Sequence, residues 1–82
     1  MTTTTRLDQA QVAVLASLAP GGILGIESIA QSAQLTMWRT RHAVSKLTSR
    51  GLIVGRRRGG RGAWEITDRG RRTLSTRGRY FQ

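Results

Sequence analysis

The stretch from Gly25 to Gly51, GIESIAQSAQLTMWRTRHAVSKLTSRG, constrains the fold more than any other part of the chain. Ile26, Ile29, Ala30 and Ala33 recur at three- and four-residue steps, which predicts a short helix over 26–33. Gln34 and Leu35 are left to make a turn. Thr36 is a good N-cap for a second helix, because its hydroxyl can accept from an otherwise unpaired amide of the first turn. That helix is predicted to run to about Arg50. Gly51 then supplies a residue free to take positive φ, while Lys46 and Arg50 suit the negative end of the helix dipole. Two helices joined this tightly, the second one basic, make a helix-turn-helix pattern.

The flanks read as its support. Leu7 to Leu18 is predicted to be an amphipathic helix, with Leu7, Val12, Val14, Leu15 and Leu18 toward a core and Asp8, Gln9 and Gln11 toward solvent. Pro20-Gly21-Gly22 ends it. Ile23-Leu24-Gly25 is then a short extended piece, long enough for one or two ladder bonds. Downstream, Leu52 to Arg57 carries the β-favouring run Leu52-Ile53-Val54. Ala63 to Thr67 carries Trp64 and Ile66 at strand alternation, with Ala63 and Glu65 on the other face. Between them RRGGRG permits a hairpin tip of almost any turn type. Thr67 can cap a last helix that starts Asp68-Arg69-Gly70 and fades near Thr76. The expected fold is α+β: a winged helix-turn-helix with three to four helices and a small antiparallel hairpin wing. It occupies residues 7–75, between a disordered tail at 1–6 and a basic tail at 76–82 that is mobile unless Tyr80 and Phe81 dock.

Charge narrows the partner. The 82 residues carry a formal net charge of +10, and 13 of the 14 basic residues are arginine. From Arg39 onward only Glu65 and Asp68 oppose them. So one-sided a surface repels itself unless a polyanion is the partner, and arginine forks match phosphate and guanine edges. There is no cysteine, and the single His42 cannot build a zinc site alone, so no metal and no cofactor is expected. No apolar run reaches membrane-spanning length, and MTTTTRLD lacks the core of a signal peptide. A cytoplasmic, nucleoid-associated protein of a prokaryotic or viral host cell, with no membrane partner, is the expectation. Asp8, Glu27, Glu65 and Asp68 are scattered, and GRRRGGRG lacks the context of a phosphate-binding loop. An enzyme is not expected.

The candidate contacts lie on the second helix and the hairpin. Thr40, Ala43, Val44 and Leu47 share a face suited to packing. Trp38, Arg39, Arg41, His42 and Ser45 lie opposite, and the N-terminal part of such a face enters the major groove. Arg39 or Arg41 can take guanine O6 and N7 together, worth roughly 1–3 kcal/mol of discrimination. A phosphate contact, which positions without specifying, stays open for each. Thr36 and Lys46 complete the set, and Ser45 and Thr40 are small enough to let the backbone approach a duplex. Trp38 has two readings, a packing residue (the commoner fate of tryptophan) or a contact to a thymine methyl or sugar. His42 suits a phosphate or base contact. On the hairpin, Arg56, Arg57, Arg58 and Arg61 flank glycines and can follow a narrow minor groove. A basic loop without a fixed target is the alternative. Arg69, Arg71 and Arg72 suit phosphates.

The string LTMWRTRHAVSKLTSRGLIVGRRRGGRGAWEITDRGRRTL resembles the DNA-binding half of MarR-type winged-helix regulators. Leu47, Arg50-Gly51-Leu52 and Ile66-Thr67-Asp68-Arg69-Gly70-Arg71 stand where that family has its leucine, "RGL" and "LTDRGR". The resemblance covers roughly Leu7 to Leu74 and implies a winged helix that binds DNA. MarR-type proteins carry extra helices at both ends for the dimer and a small-ligand pocket. This sequence has neither, so ligand sensing is not part of the expectation, and dimerisation would use the first helix, the last helix or the tail. Small phage and plasmid proteins of this fold, excisionases and compact repressors, are similar in size and charge. Winged-helix domains that recognise left-handed duplexes match at Val44, Leu47, Gly51 and Trp64, but have a tyrosine where Ser45 stands.

The leading expectation is a sequence-specific double-stranded DNA-binding protein, a small transcriptional repressor acting as a homodimer or cooperative assembly. The alternatives are an architectural factor such as an excisionase and a winged-helix protein-interaction module.

Overall fold

The computed structural model describes residues 7–80. The expected tail at 1–6, Phe81, Gln82 and the side chains at 58 and 76–80 lie outside the described residues. Element order is α1 (Gln9–Leu18), β1 (Leu24–Gly25), α2 (Ile26–Ala33), α3 (Met37–Ser49), β2 (Ile53–Arg58), β3 (Arg61–Ile66) and α4 (Asp68–Tyr80). The three strands form one antiparallel sheet in the order β1-β3-β2. This is the expected α+β winged helix-turn-helix.

Helix α1 starts at Gln9, two residues later than the sequence suggests, because Asp8 takes the N-cap. Its Oδ1 accepts from the Gln11 amide at 2.8 Å. Leu7, ahead of the cap, is still buried. Gln11 corrects the solvent-facing assignment: it is 5 % exposed, and its Oε1 has no hydrogen-bond partner. Spacing overrides side-chain polarity here, since Gln11 falls in the stripe of Leu7, Val14, Leu15 and Leu18.

Helix α2 has the predicted bounds. Its end is a Schellman arrangement in which the Leu35 amide donates to Ala30 O at 3.0 Å and the Gln34 amide to Gln31 O at 3.3 Å. Gln34 takes the left-handed conformation this requires, at φ 57 and ψ 47. Helix α3 closes the same way. The Gly51 amide donates to Thr48 O and the Leu52 amide to Leu47 O, each at 3.0 Å, with Gly51 at φ +75. Leu52 is thereby committed to the helix cap, and β2 begins one residue later than expected.

The ladder runs from Ile53↔Ile66 to Arg58↔Arg61, one residue beyond the predicted end of the first strand and two before the predicted start of the second. Only Gly59 and Gly60 are left to turn, both at positive φ (59° and 79°), as a two-residue type I′ loop requires. The wing is therefore a paired ribbon to its tip, not a six-residue loop. Leu24 and Gly25 of β1 pair with Trp64 and Ala63. This makes β3 the central strand and buries Ala63.

Val14, Leu15, Leu18, Ile29, Leu47 and Ile53 are fully buried, drawn from α1, α2, α3 and β2. Each such side chain is worth roughly 1.5–3 kcal/mol of transfer free energy. Thr67 locks α4 onto this core. Its Oγ lies 2.8 Å from Gly51 O and 3.0 Å from Leu52 O as donor, and accepts from the Gly70 amide at 3.0 Å. Helix α4 continues to Tyr80, past the expected fade at Thr76 and into the basic tail. No proline interrupts it, and Gly78 costs only about 1 kcal/mol relative to alanine.

Candidate nucleic-acid interface

Thr36 sets the start of α3. Its hydroxyl accepts from the Arg39 amide at 3.1 Å, and its carbonyl accepts from the Thr40 amide at 2.9 Å and the Thr40 hydroxyl at 2.8 Å. Thr36 is exposed, but its polar atoms are engaged in holding the first turn. Thr40 is fully buried with Ala43, Val44 and Leu47. The expectation that Thr40 lets the backbone approach a duplex is therefore corrected: its hydroxyl is spent on its own helix.

With the inward face of α3 so defined, a turn of about 100° per residue fixes the outward one. Trp38 falls about 180° from Leu47, with His42 and Ser45 beside it on the outward side. Trp38 is 73 % exposed, which sets aside its packing reading. Its indole stacks on the imidazole of His42, with ring centroids 5.3 Å apart and planes 13° from parallel. The sequence reading treated the two rings separately, although a spacing of four residues on a helix brings side chains together.

The outward face separates Arg39 from Arg41. Arg41 lies about 60° from Trp38 around the helix, whereas Arg39 lies about 100° away, on the shoulder. Arg39 also lines an open groove of about 390 Å³ between α1 and the turn, alongside Gln9, Ala13 and Leu35. Lys46 occupies the same shoulder as Arg39, one turn or more along. None of Arg39, Arg41 and Lys46 has an ion-pair partner among the described residues.

On the wing, register puts Arg56 and Arg61 on the face of Val54, Ala63 and Glu65, and Arg57 on the opposite face. Arg56 Nε donates to Glu65 Oε1 at 2.9 Å, so part of its charge is answered within the hairpin. In the backbone register Arg58 is the partner of Arg61. Two arginines expected at phosphates are otherwise engaged. Arg71 Nη1 donates to Ala19 O at 2.7 Å, where it meets the C-terminal end of α1, and Arg69 Nη1 approaches Arg50 O at 3.5 Å. Arg72 is exposed.

Among the described residues no cluster of His, Asp or Glu is arranged to hold a metal ion. No described helix is long and apolar enough to cross a membrane.

No protein-family profile matches the sequence, and no curated protein does. Solved structures match closely in shape. BpsR of Bordetella bronchiseptica, whose DNA binding is regulated by 6-hydroxynicotinic acid, superposes with a TM-score of 0.84 at 17 % identity over 96 % of this chain and 62 % of its own. A MarR-family transcriptional regulator of Silicibacter pomeroyi gives 0.84 at 20 % identity, covering 93 % of this chain and 52 % of that one. Sco5413 of Streptomyces coelicolor, another MarR-family regulator, gives 0.79 at 25 % identity over 89 % and 53 %. The chain has the winged-helix fold of these regulators and spans between half and two thirds of their length.

Proposed function

We propose that the chain is a sequence-specific double-stranded DNA-binding regulator of transcription, in its simplest form a repressor that occupies a promoter. Helix α3 enters the major groove with Trp38, Arg41, His42 and Ser45, flanked by Arg39 and Lys46, while Thr36 holds its first turn. The wing follows the adjacent backbone or minor groove with Arg56, Arg57, Arg58 and Arg61. One observation carries this reading. The outward face of α3 is cationic and exposed, and no acidic residue occurs between Glu27 and Glu65 to answer it. A charged face left unanswered within the chain suits a polyanion. The likeness to transcriptional regulators supports the same task. A single module buries a modest interface, so two copies on a palindrome, or a cooperative array, supply the remaining specificity. The setting that fits is the cytoplasm, on the nucleoid, without metal or cofactor.

The test is selection of bound sequences from random duplex DNA at about 150 mM salt, with the stoichiometry of the complex measured alongside. A palindrome bound by two chains is expected. Direct repeats filled cooperatively would assign an architectural role instead, and no enrichment at all would overturn the reading.

A further inference from the structure

We infer that the Trp38–His42 stack is a reader of pyrimidine C5-methyl groups, so that the preferred duplex carries a thymine or a 5-methylcytosine against it. This rests on the DNA-binding reading above and names what the centre of that face recognises. Three observations lead to it. An indole that is 73 % exposed, at the outermost line of the helix, has no ring contact among the described residues other than its stack. The imidazole lies nearly parallel to it, at 13° and with centroids 5.3 Å apart, so the two rings form an offset aromatic pair on the exposed side of α3. Arg39 and Arg41 fall on opposite sides of Trp38 around the helix and suit the phosphates and guanine edges there.

In the major groove every base-pair edge offers donors and acceptors, and the one apolar group is the C5-methyl of thymine. The apolar ring carbons of this exposed pair fit that methyl, while the hydrogen-bonding edges beside it suit the arginines. The methyl of 5-methylcytosine occupies the same place.

The experiment starts from the site that the wild-type protein selects from random duplex. Each thymine is replaced in turn by deoxyuridine, which removes one methyl group and leaves the pairing edge intact. Cytosine and 5-methylcytosine are then compared at any position that responds. Wild type is expected to lose about fourfold in affinity at one or two thymines, the factor that one buried carbon group is worth. Cytosine and 5-methylcytosine should differ by the same factor there. Trp38→Ala should bind the thymine and uracil forms alike. Should it lose all binding, Trp38→Phe supplies the readout and should retain a reduced preference for thymine. A wild-type protein that selects a sequence yet treats thymine and uracil alike everywhere overturns this inference and leaves the proposed function standing. Selection of no sequence removes both. An unchanged thymine preference in Trp38→Ala assigns the methyl contact to another residue and the aromatic pair to another partner.

Discussion

Gly70, in the first turn of α4, passes so close to Leu52 that a Cβ built on it would collide with the Leu52 carbonyl oxygen and come within 2.8 Å of Ile66 Cγ1. Alanine normally favours a helix interior over glycine by about 1 kcal/mol. Here the obstacle is backbone, which cannot swing aside, and overpacking of this kind costs roughly 1–3 kcal/mol. The clash wins. Gly70→Ala should lower stability by up to about 2 kcal/mol in urea titration, the overpacking cost less the propensity gain, and a midpoint unchanged or raised would show that α4 can move away from the sheet.

That approach explains a glycine that the sequence reading used only as part of a motif. Periodicity and capping chemistry sufficed for α2, the turn and α3, because those signals are local: Thr36 caps, Gly51 terminates, and Thr40, Ala43, Val44 and Leu47 bury the inner face. What was not legible depends on neighbours distant in sequence. Gln11 is buried because helices close over it, and Arg71 turns to Ala19, which lies far back along the chain. The central place of β3 depends on β1, which pairs with Trp64 and Ala63 from far back along the chain. Hydrophobicity alone leaves Trp38 open between packing and contact, and its angular position opposite Leu47, with no core to join, decides for the exposed side.

Thr67 meets three backbone groups through one hydroxyl, the carbonyls of Gly51 and Leu52 and the amide of Gly70. Thr67→Val keeps the shape and removes that group, so the cost is the lost N-cap, about 0.5–2 kcal/mol. Thr67→Ser restores the oxygen and should recover most of the loss. Equal stability for the valine and serine variants would mean the hydroxyl contributes nothing.

Gln34 is exposed and non-glycine at φ 57, a conformation that costs an L-residue roughly 1–2 kcal/mol. Glycine there removes the steric cost but adds about 0.5–1 kcal/mol of chain entropy to be lost on folding. The first term is larger. Gln34→Gly should raise the melting temperature by a few degrees. A decrease would show that the turn gains more from the glutamine side chain than its backbone loses.

Arg41 and Arg57 divide the interface into reading and holding. Arg41→Ala should cost roughly 1–3 kcal/mol on the selected site and much less on random duplex, as loss of a base contact does. Arg57→Ala, on the wing, should weaken both alike and reduce the dependence of log affinity on log salt by about one ion. Competition titrations with specific and random duplex separate the two patterns. Equal losses for Arg41→Ala on both duplexes would place that side chain on phosphate.

Glu65 is the one acid on the wing, and its ion pair with Arg56 holds an arginine that could otherwise reach DNA. Both side chains are substantially exposed, at 53 % for Arg56 and 35 % for Glu65, so the pair itself contributes at most about 1 kcal/mol to folding. Its effect on binding should be larger than its effect on stability. Glu65→Gln removes a charge that repels phosphate and frees Arg56 to pair with one. If Arg56 then meets a phosphate, the slope of log affinity against log salt should steepen by about 0.9, the value for one more released ion. Affinity should rise most at low salt, where screening is weakest. The gain should also appear on random duplex, because a phosphate contact carries no sequence information. A salt titration of Glu65→Gln beside the Arg56→Ala/Glu65→Gln double variant decides the point. If both show the same slope, Arg56 does not touch DNA and Glu65 serves only to stiffen the hairpin.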